Sequence, residues 1–384
     1  MRTKFILITA LLFLVHSIST YYIGLRIWQS IGVAVASELE SYYWVIFIFL
    51  SGTYFLGRIG AIYFPSNFSD KMIWSGCYWL GLSFYLCLLW LGYDLVRLSN
   101  RLFAYLPEMF NQYPLEIGLS IVTVSIVLVI YGAWNASRPI LRHYDITINK
   151  KVDDYTQLHI VVISDLHLGL LVGKKKLAKA IEIINRLKPD LVLMPGDILD
   201  ENIGAFVENE MPDMLRGIRS RLGVFGILGS HEYIYGHSDK AIRYLEQAGI
   251  TLLRDRYIRI GNHIQLVGRD DLLKKDLVGT PRSRLSTILQ GCNRKDPIIL
   301  MDHQPVDLEE AELQGVDLQL SGHTHHGQLF PINLVTQKLF TIDWGYLRKK
   351  QYQIIVSSGY GTWGPPIRLG TVSEIVDIRI KFAP

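Results

Sequence analysis

The sequence predicts an α/β domain preceded by membrane-spanning helices, and three observations lead to this prediction. Four apolar runs of about 20 residues each precede residue 145. After residue 150, short apolar runs of strand length alternate with helical patterns. Acidic residues and histidines follow several of these strand-length runs directly. A chain of 384 residues has room for two or three domains of about 150 residues.

The N-terminal region, 1–145, is predicted to hold about four transmembrane helices, at about 5–24, 43–63, 73–93 and 116–135. Each run is close to the ~20 helical residues that cross ~30 Å of hydrocarbon. A cleavable signal peptide is the alternative for the first run, but no small-residue cleavage site follows it and three more runs come after. Tryptophans near the run ends fit an aromatic belt: Trp44, Trp74, Trp90 and Trp134.

The distribution of basic residues predicts the orientation. Under the positive-inside rule both ends of the chain are expected in the cytoplasm, and an even number of spans agrees with this. Arg97 and Arg101, in the predicted outer loop, oppose it mildly. We therefore expect a multi-pass protein of the cell membrane with a cytoplasmic C-terminal domain. The basic residues that favour this placement are Arg2, Lys4, Arg138, Arg142, Lys150 and Lys151.

Composition excludes some classes of function. The net charge of +4 is small and scattered, which argues against a nucleic-acid partner. Cys77 and Cys87 lie in apolar runs, so Cys292 is the one cysteine of the polar part and no internal disulfide is expected there. This cysteine usage fits a reducing compartment.

The C-terminal region, 155–384, has the pattern of a soluble α/β domain. Strand-length apolar runs occur at His159–Ser164, Leu191–Met194 and Gly223–Leu228, and a helical pattern covers Lys174–Lys188. This alternation predicts a largely parallel sheet that is buried on both faces. Later strands are expected at Gln265–Gly268, Ile298–Met301, Leu318–Leu320, Gln351–Ser357 and Glu374–Lys381.

Candidate metal ligands follow the ends of five predicted strands, where open α/β sheets bind ligands. In Asp165-Leu-His167 the side chains two positions apart can point the same way on an extended backbone. Mixed carboxylate and imidazole ligation suits Mn, Fe or Zn. Asp197 has two carboxylate oxygens that can bridge two such ions, and a pair of ions can activate water for phosphoryl displacement. The predicted ligands are Asp165, His167, Asp197, His303, His323 and His325.

Five motifs in this order resemble the calcineurin-like metallophosphoesterase superfamily, in particular its membrane-attached bacterial branch. The motifs are Asp165-x-His167, Gly196-Asp197, Gly229-x-His231-Glu232, His303 and Gly322-His-x-His325. The resemblance implies a four-layer α/β/β/α sandwich. It assigns one metal to Asp165, His167, Asp197 and His325, and a second metal to Asp197, His303 and His323. It also implies that His231 is a general acid or transition-state donor. His231 and Asp197 are the predicted catalytic residues.

The chain departs from the family pattern at two positions. Ser230 replaces an asparagine that ligates the second metal in the family, and its hydroxyl is one bond shorter. We therefore expect the second ion to bind more weakly than the first. His326 replaces a glycine, and it can be a substrate contact, an extra ligand or an exposed residue. The candidates for substrate contacts or for contacts behind the ligands are Ser230, Glu232, His326 and Arg368.

These features predict a hydrolase, a phosphoesterase with two divalent ions (Mn, Fe or Zn) that cleaves phosphoester or pyrophosphate bonds. Membrane attachment favours a lipid-linked substrate, and hydrolases of UDP-diacylglucosamine belong to the same superfamily. The alternative is a degenerate, membrane-anchored metal-binding sensor or docking module without catalysis. Ser230 favours that alternative, whereas the survival of the other predicted ligands favours catalysis.

Overall fold

The computed structural model describes residues 2–103, 113–153, 155–200, 203–234, 236 and 238–383. The first four helices are α1 (Arg2–Ile31), α2 (Glu40–Tyr63), α3 (Asn67–Phe103) and α4 (Pro114–Ala136). Within the described residues, these four are long and apolar enough to cross a membrane, over 10–31, 37–63, 67–103 and 114–136. They overlap the four predicted spans.

Contacts divide the chain into two units. One comprises 1–134 with Gly364–Ile367, and the other comprises Asn135–Trp363 with 368–384. This division falls before the predicted boundary at 145, because a strand that begins at Ile140 pairs within the second unit.

The second unit is a mixed α/β domain with two sheets of six strands among its described residues. Its strands are β1 (Ile140–Lys151), β2 (Gln157–Val162), β3 (Leu191–Pro195), β4 (Val224–Ile227), β5 (Thr251–Leu252), β6 (Arg256–Ile260), β7 (Ile264–Gly268), β8 (Ile298–Met301), β9 (Leu318–Ser321), β10 (Gly345–Lys349), β11 (Tyr352–Val356) and β12 (Glu374–Ala383). Its helices are α5 (Lys174–Leu187), α6 (Ile203–Glu208), α7 (Met211–Leu215), α8 (Ser230–Ile234), α9 (Ser238–Gln247), α10 (Lys274–Val278), α11 (Leu285–Ile288), α12 (Leu308–Leu313) and α13 (Ile332–Leu339).

The two sheets combine parallel and antiparallel pairs. The first has the order β1-β12-β2-β3-β4-β5 and is parallel except where β12 pairs with β2. The second has the order β10-β11-β9-β8-β7-β6 and is parallel except at its two outer pairs, β10 with β11 and β6 with β7. In each sheet, three consecutive parallel strands therefore end at the same edge: β2, β3 and β4 in the first and β7, β8 and β9 in the second.

Alternation of side chains along the strands builds four layers. Ile160 and Leu193 face a core that also contains Leu266 and Ile299 of the other sheet, so the sheets pack face to face. The neighbouring Val161 faces a second core that includes residues of α5, α7 and α9. On the far side of the second sheet, Val267 and Leu300 pack with residues of α11 and α12. This is the helix–sheet–sheet–helix arrangement that the resemblance implied.

Candidate metal centre

The ends of the parallel strands bring the predicted ligands together. Backbone bonds join the loops after β2 and β3, since Asp165 N donates to Gly196 O (3.1 Å) and His167 N donates to Asp197 O (3.0 Å). A side-chain bond joins the two sheets, since His303 Nδ1 lies 2.8 Å from the carbonyl oxygen of Pro195. Several predicted ligands also adopt left-handed backbone conformations, which cost about 1–3 kcal/mol each and concentrate at functional sites. Their φ angles are 53° (Asp165), 48° (His167), 50° (Asp197), 73° (His323) and 49° (His325).

The first metal group consists of Asp165, His167 and His325, whose nearest ligand atoms all lie within 4.8 Å of one another. The Nε2 atoms of His167 and His325 are 3.0 Å apart, and His325 Nε2 is 3.5 Å from Asp165 Oδ1. All three residues are at most 1% exposed. Burial lowers the pKa of His167 to about 3, helped by the neighbouring His231. The His167 imidazole is therefore neutral, as metal binding requires.

The second metal group consists of Asp197, His303 and His323, again with ligand atoms within 4.8 Å. Asp197 Oδ2 is 3.2 Å from His303 Nε2 and 3.9 Å from His167 Nε2 of the first group. The carboxylate of Asp197 thus faces both groups, as a bridging ligand must. Burial alone would raise the pKa of Asp197, but His303 beside it holds that pKa well below the ordinary value.

The buried polar atoms of the centre fit divalent metal ions. Asp165 Oδ2 is fully buried and has no hydrogen-bond partner among the described residues, while the buried His303 Nε2 faces Asp197 Oδ2 at 3.2 Å. Because His303 Nδ1 donates to the carbonyl oxygen of Pro195, Nε2 is the His303 nitrogen that is left to face a metal ion. Burial raises the pKa of Asp165 to about 6, although His303 opposes this. Cations bound in the two groups would provide partners for Asp165 Oδ2 and His303 Nε2, and they would stabilise the charged form of Asp165.

Two glycines of the motifs allow the loops to approach each other. A Cβ at Gly322 would lie 2.1 Å from Asp165 Oδ2, and a Cβ at Gly229 would lie 2.2 Å from Asp197 Oδ1. Both distances are far below van der Waals contact, so any larger residue at these positions would displace a carboxylate of the metal groups. The glycines are thus needed for the geometry of the centre.

His231 pairs with Asp200 at the edge of the centre. His231 Nδ1 is 3.3 Å from Asp200 Oδ1, its backbone N–H donates to Asp197 Oδ1 (2.8 Å), and its ring packs edge-on against His167. Burial would lower the pKa of His231, but the hydrogen bond to Asp200 and the charge of Asp197 raise it to about 9. His231 is therefore protonated near neutral pH and can donate a proton.

The four additional candidates occupy different surroundings. Ser230 lies beside the second metal group, with Oγ 3.4 Å from His323 Nδ1. Glu232 is buried and accepts hydrogen bonds from the backbone N–H groups of Leu199 (2.8 Å) and Gly229 (2.7 Å). It therefore ties together the loops after β3 and β4.

His326 and Arg368 are both buried. His326 is 9% exposed, its Nδ1 lies 2.8 Å from Asp343 Oδ2 and its ring packs near Trp344. The exposed alternative for His326 is therefore wrong. Arg368 is 0% exposed and donates to the carbonyl oxygens of Gly359, Gly361 and Val372, while its Nη2 lies 3.0 Å from His325 Nδ1. Arg368 therefore contacts a predicted ligand of the first metal group and is too deeply buried to line an exposed substrate site.

Three polar residues near the centre escaped the sequence analysis: Asp200, Asp271 and Gln304. Asp200 stands three positions after Asp197, and Asp271 stands three positions after the end of β7. Both obey the same strand-end rule as the predicted ligands. Neither belongs to one of the five motifs that carry the resemblance.

Comparison with known proteins agrees with this fold. The model of the calcineurin-like phosphoesterase family matches residues 158–327. An uncharacterised metallophosphoesterase of Campylobacter jejuni is 30% identical over 98% of this chain and 99% of its own length. The chain therefore belongs to the calcineurin-like metallophosphoesterase family, whose members depend on metal ions.

Two further proteins are similar over part of the chain. A transmembrane protein with a metallophosphoesterase domain from Danio rerio is 31% identical over 68% of this chain, which corresponds to 62% of that protein. The chain thus spans less than two thirds of the length of that relative. A solved dimetal phosphatase from Danio rerio covers 53% of this chain and 89% of its own at 12% identity, with a TM-score of 0.34, too low to bear on function.

Proposed function

We propose that this chain is a membrane-anchored phosphoesterase that uses two divalent metal ions, Mn, Fe or Zn, to hydrolyse phosphoester or pyrophosphate bonds. The observation that carries the proposal is the convergence of six ligands into two groups that share the carboxylate of Asp197. A docking module without catalysis would have no need to retain the carboxylate of Asp197 between the two metal groups.

The residues of the chain have distinct roles in this proposal. The ions, when bound, would polarise the phosphoryl oxygens and activate water. Asp165, His167 and His325 hold one ion, while His303 and His323 hold the other, and Asp197 is common to both. His231, protonated and held by Asp200, donates its proton to the leaving oxygen, a contribution of about 10²–10⁴-fold for general acids.

The proposed substrate is a phosphodiester or pyrophosphate that is linked to a membrane lipid. Four helices that can cross a membrane support it, because they would keep the domain close to such substrates. The test is hydrolysis by the purified full-length chain with Mn²⁺, using a phosphomonoester, a phosphodiester and a lipid pyrophosphate. Turnover of the lipid substrate is expected to exceed that of the others. Absence of turnover with all three, in protein that binds Mn²⁺, would favour the sensor.

We further propose that the chain is multi-pass with its catalytic domain in the cytoplasm. The basic residues around the first and fourth helices support this placement. A C-terminal fluorescent protein that matures in the cytoplasm is expected to be bright. A C-terminal alkaline phosphatase, active only outside the cytoplasm, is expected to be silent, and the reverse result would place the domain outside.

A further inference from the structure

The side chain of Ser230 lies in a polar cluster beside the second metal group. Ser230 Oγ donates to Asp271 Oδ2 (3.3 Å), accepts from Gln304 Nε2 (3.2 Å) and lies 3.4 Å from His323 Nδ1. The hydroxyl therefore links a carboxylate to a predicted ligand of the second metal. The position that carries an asparagine amide in the family is thus occupied here by Ser230, whose hydroxyl is hydrogen-bonded to Asp271.

Asp271 is a buried carboxylate that has neutral hydrogen-bond donors. It is 1% exposed, and it accepts from Gln304 Nε2 (3.1 and 3.2 Å), from the backbone N–H of Leu273 (2.9 Å) and from Ser230. Across the part of the chain that the structure describes, no lysine or arginine nitrogen forms an ion pair with it.

The neighbouring Asp270 is a buried carboxylate that does have cationic partners. Asp270, also 1% exposed, pairs with Arg254 at 3.2 Å and Lys274 at 2.6 Å, and accepts from Tyr233 at 2.8 Å. An ionised carboxylate that is buried without a cation is strongly destabilising. Asp271 has no such cationic partner among the described residues, and its hydrogen bond to Ser230 connects it to His323 of the second metal group.

The second metal group offers the place for that cation. In this group the buried His303 Nε2 faces the carboxylate of Asp197 at 3.2 Å. Ser230 Oγ contacts both this group and the acid, since it lies 3.4 Å from His323 Nδ1 and 3.3 Å from Asp271 Oδ2. A buried carboxylate without a lysine or arginine partner among the described residues is thus connected to the second metal group through one hydroxyl.

We propose that the Ser230–Asp271 pair takes the place of the family asparagine, so that the second ion is balanced by two carboxylates, Asp197 and Asp271. This inference rests on the proposed two-metal function and deepens it. Asp271 is a positioning residue that acts through Ser230, and Gln304 holds both.

The test is a Mn²⁺ titration of metal-depleted full-length protein, in which electron paramagnetic resonance measures free Mn²⁺. Wild type is expected to bind two equivalents. Asp271→Asn is expected to weaken the second equivalent at least tenfold and to leave the first unchanged. Adding Ser230→Asn to that variant restores an amide oxygen and should recover most of the loss. A merely structural role for Asp271 would not be rescued in this way.

Asp317→Asn is the matched control, because Asp317 is also buried but pairs with Lys150 at the opposite end of β9. It is expected to titrate like wild type. Superimposed curves for wild type and Asp271→Asn would overturn the inference, and so would loss of both equivalents. The proposed function is judged separately by hydrolysis, since wild type that binds two ions without turnover would refute catalysis and leave the role of Asp271 standing.

Discussion

The two metal groups share Asp197 but differ in the charge that stands behind them. Behind the first group lies the buried guanidinium of Arg368, 3.0 Å from His325. Beside the second group lies the buried carboxylate of Asp271. It accepts a hydrogen bond from Ser230 Oγ, which in turn lies 3.4 Å from His323 Nδ1. A fixed positive charge opposes a second cation nearby, whereas a fixed negative charge attracts one.

The proposal for Asp271 opposes the expectation from the sequence that the second ion is held weakly, and a metal titration decides between them. That expectation counted ligands and found a hydroxyl where an amide should be. It did not count charge, because Asp271 is 41 positions from Ser230 in the chain. The comparison teaches that affinity for an ion depends on the electrostatics around its ligands as well as on the ligands themselves. The following predictions test the comparison, from the largest expected effect to the smallest.

Asp197→Asn should affect both groups at once, because this carboxylate is the element they share. We expect loss of most bound metal and a fall in turnover of at least about a thousandfold, equivalent to about 4 kcal/mol. Metal analysis of the purified variant, with circular dichroism to verify the fold, checks this. Two ions per chain and a near-normal rate would contradict the bridging role.

Single-histidine variants should separate the groups. His325→Ala removes a ligand of the first group and His323→Ala removes a ligand of the second. Each is expected to retain about one equivalent of Mn²⁺ and to lose about 10²–10³-fold in turnover, because the proposed mechanism uses both ions to clamp the phosphoryl group. Stoichiometry by mass spectrometry of the metal content is the measurement. If either variant lost both ions, the groups would be a single cooperative site.

Asp200→Asn should leave both groups intact. Asp200 bonds His231 and is expected to act by positioning that imidazole and favouring its protonated form. We expect kcat to fall by about 10–100-fold, in the range found when a residue that orients a functional histidine is changed, while KM and bound metal change little. A large loss of metal would instead make Asp200 and His231 part of a metal site.

Ser230→Asn in the wild-type background should have the smallest effect. The amide would place an oxygen nearer the second ion while Asp271 remains in place. The Mn²⁺ concentration at half-maximal rate is expected to fall by up to about tenfold, or about 1.4 kcal/mol, with little change in the saturated rate. Abolished activity would mean that the serine hydroxyl contacts the substrate or orients His231.

The sequence by itself predicted the architecture, and it pointed to the residues that the folded chain gathers into the two metal groups. Apolar runs of fixed length predict membrane helices, and strand-length runs such as His159–Ser164 predict parallel strands, because these patterns follow from local hydrophobic periodicity. Ligands such as Asp165 and His303 could be identified because they stand directly at strand ends, where topology alone brings them to one edge.

Tertiary structure alone decided which residues stand behind those ligands. The partners of Ser230, His231 and His325 are Asp271, Asp200 and Arg368, separated by 41, 31 and 43 positions respectively. No local pattern encodes such pairs, since they arise from the stacking of two sheets and the loops between them. Charge acts through space rather than along the chain, and so the balance between the two metal groups could be read only from the folded protein.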